Sequence, residues 1–233
     1  MPLHFYLAMT EAEIRNAPIL PKHLAYMACH FSPYGTGLVN IPEKLPPGSI
    51  LIVNDRVPVT HHNPGIIANQ LSAAVRKLKA YGVLMDLQVS GNQQTAKIVE
   101  KVIHTLPCPV AVSEPYANDL SCPIFGAPAI YQPIADYIRG KKGRPLWLET
   151  FEEAAILTVT PSDCKSEQCT VHTNGNFYDE TLQCRYTFNV EKGCVRFTLS
   201  RRAEESKAYL QTAQSLGIEV AIGLYQEFYN TSL

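Results

Sequence analysis

Five carboxylates follow apolar runs along this chain, each at the point where a buried strand would end. They are Asp55, Asp86, Glu114, Glu149 and Glu227. In an α/β barrel the carboxyl ends of the strands share one mouth, so several of these groups are expected within about 5–10 Å of one another. Crowding of carboxylates raises the pKa of one of them, which supplies a general acid near neutral pH. The pattern therefore predicts acid–base chemistry on a bound ligand.

The clearest of these runs is Tyr81-Gly82-Val83-Leu84-Met85-Asp86-Leu87-Gln88, which is followed by Ser90-Gly91-Asn92. A near-continuous apolar run of this length is typical of a strand that is buried on both faces. Asp86 is the strongest single candidate because its run is the cleanest. The alternative interpretation is structural, since Asp, Asn and Ser often end strands by starting a turn or capping the next helix.

The order of strand and helix patterns predicts the fold class, an α/β (β/α)8 TIM-like barrel. Apolar runs alternate with helical spacing, as in the helix predicted from Pro64 to Ala80 with Asn63 as its cap. An open doubly wound sheet is the second choice, and the lack of a G-x-G-x-x-G or phosphate loop weakens it. Barrel strands are predicted to begin near His4, Leu24, Ile50, Val83, Val110, Ile124, Leu146 and Ile218, with Val195 as a ninth candidate.

The segment from 154 to 199 interrupts this alternation. Ala155 to Thr160 is predicted as an extra strand, and the polar stretch from Pro161 to Thr181 as a loop. A β-hairpin follows around Glu191-Lys192-Gly193. Ser200 is then expected to cap a helix from about Arg201 to Ser215. We expect a single barrel domain over 1–233 that carries this hairpin as an insertion.

Charge and composition exclude several classes of partner. The chain has 20 basic and 21 acidic side chains and no basic stripe, which argues against nucleic acid. No apolar run approaches the roughly 20 residues that span a bilayer, so no membrane association is expected. The N-terminus lacks a secretory signal pattern. Seven cysteines, an odd number without C-x-x-C spacing, are typical of reduced thiols in a cytoplasmic protein.

The candidate site is taken from the predicted strand ends. We predict Asp86 and Glu114 as catalytic residues. The predicted substrate-binding residues are Asp55, Gln88, Glu149, Arg201, Tyr225 and Gln226. The sequence implies no cofactor and no metal ligand set, since the histidines show no ligand spacing. The expected partner is a small molecule or a saccharide, with the oligomeric state left open.

The Tyr81–Gln88 stretch resembles the fourth-strand motif of family 18 glycoside hydrolases, the chitinase-like barrels, whose pattern is D-x-x-D-x-D-x-E. In that family the final glutamate protonates the glycosidic oxygen, and the preceding aspartate orients the acetamido group of the substrate. The four motif positions fall on Tyr81, Leu84, Asp86 and Gln88, and only Asp86 matches. The chain also looks like uncharacterised proteins of the Firmicutes, a resemblance that implies no activity.

The amide at position 88 changes what this resemblance implies, because an amide has no ionisable proton to deliver. Either the barrel binds a saccharide without cutting it, or another carboxylate, Glu114 on the next strand, supplies the acid. The first hypothesis is thus carbohydrate binding or processing. The alternatives are a non-catalytic scaffold that uses the late hairpin as its surface, and a metal-dependent hydrolase built on Asp55, Asp86, Glu114 and a histidine.

Overall fold

A computed structural model describes residues 2–117, 121–170 and 172–229. Strands and helices alternate through the first two thirds of the chain. In order they are β1 (His4–Met9), α1 (Glu11–Asn16), β2 (Leu24–Phe31), β3 (Leu38–Val39), β4 (Ile50–Asn54), α2 (Pro64–Leu78), β5 (Gly82–Asp86), α3 (Gln93–Thr105), β6 (Val110–Ser113), a 3-10 turn (Glu114–Tyr116), β7 (Ile124–Gly126), α4 (Ile134–Gly140) and β8 (Leu146–Thr150).

The last third begins with a run of strands and ends with a return to the alternation. Its elements are β9 (Glu153–Val159), β10 (Cys164–Gln168), β11 (Phe177–Asp179), β12 (Cys184–Glu191), β13 (Cys194–Arg201), α5 (Ala203–Ser215), β14 (Val220–Leu224) and α6 (Tyr225–Phe228). None of the helices within the described ranges is both long and apolar enough to cross a membrane.

Eight parallel strands form the closed barrel that the sequence predicts. Their order around the barrel is β1, β14, β8, β7, β6, β5, β4 and β2, and β1 pairs with both β14 and β2. The short β3 adds to β2 in the antiparallel sense. The stretch that resembles the family 18 motif is β5, which is the fourth strand of the barrel in chain order. The predicted TIM-like barrel is confirmed.

Helix α2 begins at residues whose chemistry favours the start of a helix. Asn63 caps α2 by accepting a hydrogen bond from the Gly65 amide at 2.8 Å, and Pro64 occupies the first turn. The helix then buries Ile67, Leu71 and Val75 at helical spacing. This packing holds α2 on the outside of the barrel, and the inner faces of the strands form a separate core.

Side chains of the barrel strands alternate between these two cores. The inner core contains residues from all eight strands, among them Tyr6, Ile52, Leu84, Ala111, Phe125, Trp147 and Ile222. The residues between them face the helices, as Val83, Met85 and Leu148 do. Because the period is two, the residue two places after the last inner apolar side chain points into the mouth. On β5 and β8 these mouth residues are Asp86 and Glu149.

The insertion is larger than the predicted hairpin. It is a five-stranded antiparallel sheet in the order β10, β9, β13, β12, β11, inserted between the seventh and eighth barrel strands. The stretch predicted as a loop contains β10 and β11, and Val195 belongs to this sheet rather than to the barrel. Ser200 does not cap α5. It is buried in β13, and Arg202 occupies the cap position.

Candidate functional site

A cavity of about 580 Å³ lies at the carboxyl ends of the barrel strands. Its polar lining residues are Asn54, Asp55, Arg56, Asp86, Gln88, Glu149, Thr150 and Glu227. Its apolar lining residues include Met27, Leu84, Phe125, Phe151 and Ile222. No described residue between positions 163 and 181 lines this cavity.

Asp86 lies in the cavity at the end of β5 and accepts two side-chain hydrogen bonds on the same oxygen. The Gln88 amide donates to Oδ1 at 2.5 Å, and the Ser113 hydroxyl of β6 donates to it at 3.1 Å. Ser113 also accepts a hydrogen bond from the Leu87 amide at 3.0 Å, so its position is fixed by the backbone of β5. The carboxylate is therefore held in one orientation by residues of two adjacent strands.

The pKa of Asp86 is raised above its ordinary value. Burial is the largest cause, because a charged carboxylate loses its hydration there, and the nearby negative charge of Asp55 adds to it. The hydrogen bonds from Gln88 and Ser113 oppose this rise, since they favour the charged form. Asp86 is thus a buried carboxylate whose ionised form is specifically stabilised by two donors.

Glu149 occupies the equivalent position on β8 with a different environment. The pKa of its carboxyl is raised from 4.5 to about 7, chiefly by burial and then by the carboxylates of Asp86, Glu153 and Glu227 in that order. Within the described part of the chain, no donor forms a hydrogen bond to this side chain. A substantial fraction of Glu149 is therefore protonated near pH 7, unlike an ordinary glutamate.

Asp55 and Glu227 complete the polar wall from two other elements. Asp55 follows β4, and its Oδ2 accepts a hydrogen bond of 2.8 Å from the Val89 amide, which fixes the loop that follows Gln88. Glu227 lies in α6 and accepts a hydrogen bond of 2.8 Å from the Glu152 amide. Burial raises the pKa of Glu227, and the Glu152 amide opposes that rise. Both side chains thus stabilise loops at the mouth while lining the cavity.

The structure does not bring Glu114 into this cavity. Ser113 precedes it and points into the mouth, so Glu114 faces the opposite side. Its carboxylate accepts hydrogen bonds from the Tyr137 hydroxyl and from Lys141 Nζ, the latter at 2.7 Å, at the end of α4. Of the two residues predicted as catalytic, Asp86 therefore lines the cavity and Glu114 lies outside it.

Three of the predicted substrate-binding residues also lie away from the cavity lining. Arg201 is buried beside the inserted sheet, where it donates hydrogen bonds to the carbonyls of Leu182 and Gln183 and lies over the Tyr209 ring. Tyr225 packs against the outer core. Gln226 hydrogen-bonds to Glu13, next to α1. The cavity unites the other three, Asp55, Gln88 and Glu149.

Two aromatic side chains of the lining were not among the predicted site residues. Phe125 is a buried inner residue of β7, and Phe151 is partly exposed just after β8. The alternation Trp147, Glu149, Phe151 could have identified the latter, because residues two apart on a strand face the same side. The short β7 gives no comparable signal.

No set of three or more metal-binding side chains comes together anywhere in the described ranges. His30, the histidine closest to the mouth in the sequence pattern, has its ring Nδ1 at 3.0 Å from the Ala28 carbonyl. Asp55 is hydrogen-bonded to the backbone, as described above. Among residues 2–117, 121–170 and 172–229, no ligand set for the metal-dependent alternative comes together.

Comparison with solved structures finds the same fold in proteins described as a spore cortex-lytic enzyme, an N-acetylglucosaminidase and a chitinase. The spore cortex-lytic enzyme SleL of Bacillus cereus aligns with a TM-score of 0.54 at 10% identity, over 95% of this chain and 70% of SleL. A family 18 N-acetylglucosaminidase from Paenibacillus barengoltzii gives 0.54 at 7% identity over 94% of both chains. A chitinase from Chromobacterium violaceum gives 0.54 at 9% identity, over 95% and 93%.

At these identities the likeness establishes the fold: the chain is a (β/α)8 barrel of the type found in chitinase-like and family 18 glycoside hydrolases. No protein-family model matches the chain, and no curated protein sequence matches it. The family of the structural neighbours is the one that the Tyr81–Gln88 stretch resembles.

Proposed function

We propose that the barrel mouth binds a saccharide that carries N-acetylated sugar rings. The observation that carries this proposal is the cavity itself, whose lining combines the hydrogen-bonded pair of Asp86 and Gln88 with apolar side chains that include Phe151. A pyranose ring has a polar rim of hydroxyl groups and less polar faces. It therefore matches a site that offers both oriented polar groups and aromatic surface.

Two observations favour a ligand that carries N-acetyl groups. The structural neighbours include proteins described as a chitinase and an N-acetylglucosaminidase. In the motif that β5 resembles, the position of Asp86 is the one that orients the acetamido group. A carboxylate held by two donors still has free lone pairs to accept the N–H of such a group. The volume of about 580 Å³ lies within the range of about 300–1,000 Å³ that is usual for small-ligand sites.

Calorimetric titration tests the proposal directly. Chitooligosaccharides are the proposed ligands, and cello-oligosaccharides of equal length are the matched ligands without acetamido groups. We expect binding of the first series and at least tenfold weaker binding of the second, since a lost hydrogen bond to a charged group corresponds to about 1.5 kcal/mol or more. Asp86→Asn should weaken binding, whereas Asp136→Asn, on the exposed face of α4, should not. Equal affinity for both series would contradict the proposal.

A second candidate function, a partner-binding barrel, is supported by the inserted sheet. Phe188 and Val190 are 46% and 70% exposed on one face of β12, and Phe177 of β11 is 47% exposed beside them. Self-association through this face is the simplest form of that function. Light scattering of the Phe188→Ser variant tests it: a parent protein that is already monomeric would contradict this candidate.

We further propose that the protein is cytoplasmic. Cys29, Cys122 and Cys184 are buried free thiols, and burial raises the pKa of each, which keeps them unreactive. Thiol alkylation of intact cells, followed by mass spectrometry after unfolding, should find these three cysteines reduced. Recovery of the protein with oxidised cysteines outside the cell would contradict this location.

A further inference from the structure

The two mouth carboxyls on β5 and β8 line the same cavity in contrasting hydrogen-bonding environments. In the barrel order, β7 and β6 separate the strands that carry Asp86 and Glu149. Asp86 accepts hydrogen bonds from Gln88 and Ser113. Glu149 accepts none from the described residues and is partly buried beside its register partner Ile222.

Burial raises the pKa of both groups, but the hydrogen-bond donors around them differ. At Asp86 the hydrogen bonds from Gln88 and Ser113 favour the charged form and oppose the rise, whereas no described donor opposes it at Glu149. Two carboxyls whose environments differ in this way can serve as a charged stabilising group and a general acid. Gln88 occupies the position that corresponds to the family 18 acid, and its amide cannot donate a proton to a leaving group. The motif that includes β5 therefore supplies no general acid at that position.

The groups around Glu149 reinforce its neutral form. Those that interact with it electrostatically come from five other elements, and they are Asp86, Glu153, Glu227, Tyr137 and Tyr209. The three carboxylates all raise its pKa, with burial as the larger cause. The buried cation Arg201 lies 3.9 Å from Glu153 and opposes the rise in the pKa of that residue. Among the described residues that line the cavity, the cation is Arg56, which is exposed.

We infer that Glu149 is the proton donor of a glycoside hydrolase site in which Asp86, in the lining of the same cavity, is the charged group. This inference rests on the proposed saccharide binding at the mouth. The proposed acid thus lies on the seventh strand of the barrel, whereas the acid of the family 18 motif lies on the fourth. Neither Gln88 nor Glu114 has this role.

The reaction balances with one water molecule and no further reactant. The Glu149 carboxyl gives its proton to the glycosidic oxygen, and the bond between that oxygen and the anomeric carbon breaks with its electron pair on the oxygen. The Asp86 carboxylate stabilises the positive charge that develops at the anomeric carbon. Water then bonds to that carbon and gives a proton to the Glu149 carboxylate, which restores the starting acid.

The experiment uses leaving groups of different basicity. A chitooligosaccharide has a poor leaving group, whose oxygen must receive a proton as the bond breaks. In a 2,4-dinitrophenyl glycoside of N-acetylglucosamine, the dinitrophenolate departs without being protonated. Glu149→Gln should lower kcat on the oligosaccharide by about 100-fold or more, which is the usual contribution of general acid catalysis. Its loss on the dinitrophenyl substrate should be much smaller. The alkaline limb of the parent's pH profile should disappear in this variant.

Glu100→Gln, an exposed glutamate of α3, is the matched control and should retain the parent's rates. Equal losses on both substrates in Glu149→Gln would overturn the inference, as would a large loss in Glu114→Gln with none in Glu149→Gln. A parent that binds chitooligosaccharides without cleaving them would also overturn it while leaving the proposed binding function intact. Failure to bind any of them would instead contradict the proposed function.

Discussion

The side-chain amide of Gln88 donates a hydrogen bond of 2.5 Å to Oδ1 of Asp86, the last residue of β5. Gln88 lies two residues beyond the end of that strand, and both side chains line the cavity at the barrel mouth. The position that resembles the family 18 acid therefore holds a group that stabilises the neighbouring carboxylate. In this barrel two hydrogen bonds at the end of β5 oppose the rise in the pKa of Asp86 that burial causes, whereas the Glu149 carboxyl on β8 has no such donor among the described residues.

Removal of this amide should change the ionisation of Asp86. In Gln88→Ala, burial and the charge of Asp55 still raise the pKa of Asp86, while one of the two opposing donors is lost. We expect the pKa to rise further and chitooligosaccharide binding at neutral pH to weaken about tenfold. Carboxyl-carbon NMR titration and calorimetry measure the two effects. Gln93→Ala, at an exposed position of α3, is the control, and an unchanged Asp86 titration would contradict the prediction.

Glu149 should make the stability of the protein depend on pH. Its folded-state pKa of about 7 lies above the ordinary 4.5, so the folded state binds its proton more tightly than the unfolded state does. The stabilisation is complete below about pH 4.5 and is lost as the pH rises to about 7. The loss is on the order of 3 kcal/mol. Urea unfolding should show Glu149→Gln to be more stable than the parent at about pH 8.

The same measurement at about pH 4 provides the internal control, because both proteins then have a neutral side chain at position 149. The difference between them should be small there. A parent and variant whose unfolding free energies run parallel from about pH 4 to 8 would show that Glu149 has an ordinary pKa.

The sequence predicts the fold and the site only where side chains alternate clearly between the inner and outer faces of a strand. The apolar runs that end at Asp86 and Glu149 predict both the barrel and these two mouth residues. The alternation fails for Glu114 because Ser113 and Glu114 are adjacent polar residues, and nothing in the sequence shows which of them points inward. It also fails for β10, whose residues are all exposed and carry no apolar periodicity.

Glu114→Gln separates the sequence-based assignment of this residue from the geometry. The Glu114 side chain is 43% exposed and pairs with Lys141, whose side chain is 19% exposed. Loss of such a partly solvated ion pair should cost less than about 1 kcal/mol. Since the carboxylate is turned away from the cavity, chitooligosaccharide affinity should stay at the parent value. Calorimetry measures this, and a clear loss of affinity would support the sequence-based assignment instead.

Arg201 should be a determinant of stability rather than of ligand binding. It is 3% exposed, hydrogen-bonds to the carbonyls of Leu182 and Gln183, and lies 3.9 Å from Glu153. Arg201→Met should lower the free energy of unfolding by about 3–5 kcal/mol, because it leaves the buried Glu153 carboxylate without its cation.

The comparison variants isolate the buried charge as the cause of that loss. Arg196→Met removes an arginine of the same sheet whose side chain is 49% exposed, and it should change stability by less than about 0.5 kcal/mol. Adding Glu153→Gln to Arg201→Met removes the unpaired charge and should recover part of the loss. Urea unfolding measures all three variants. If the double variant were no more stable than Arg201→Met alone, the cost would come from the lost carbonyl hydrogen bonds and the contact with the Tyr209 ring, not from Glu153.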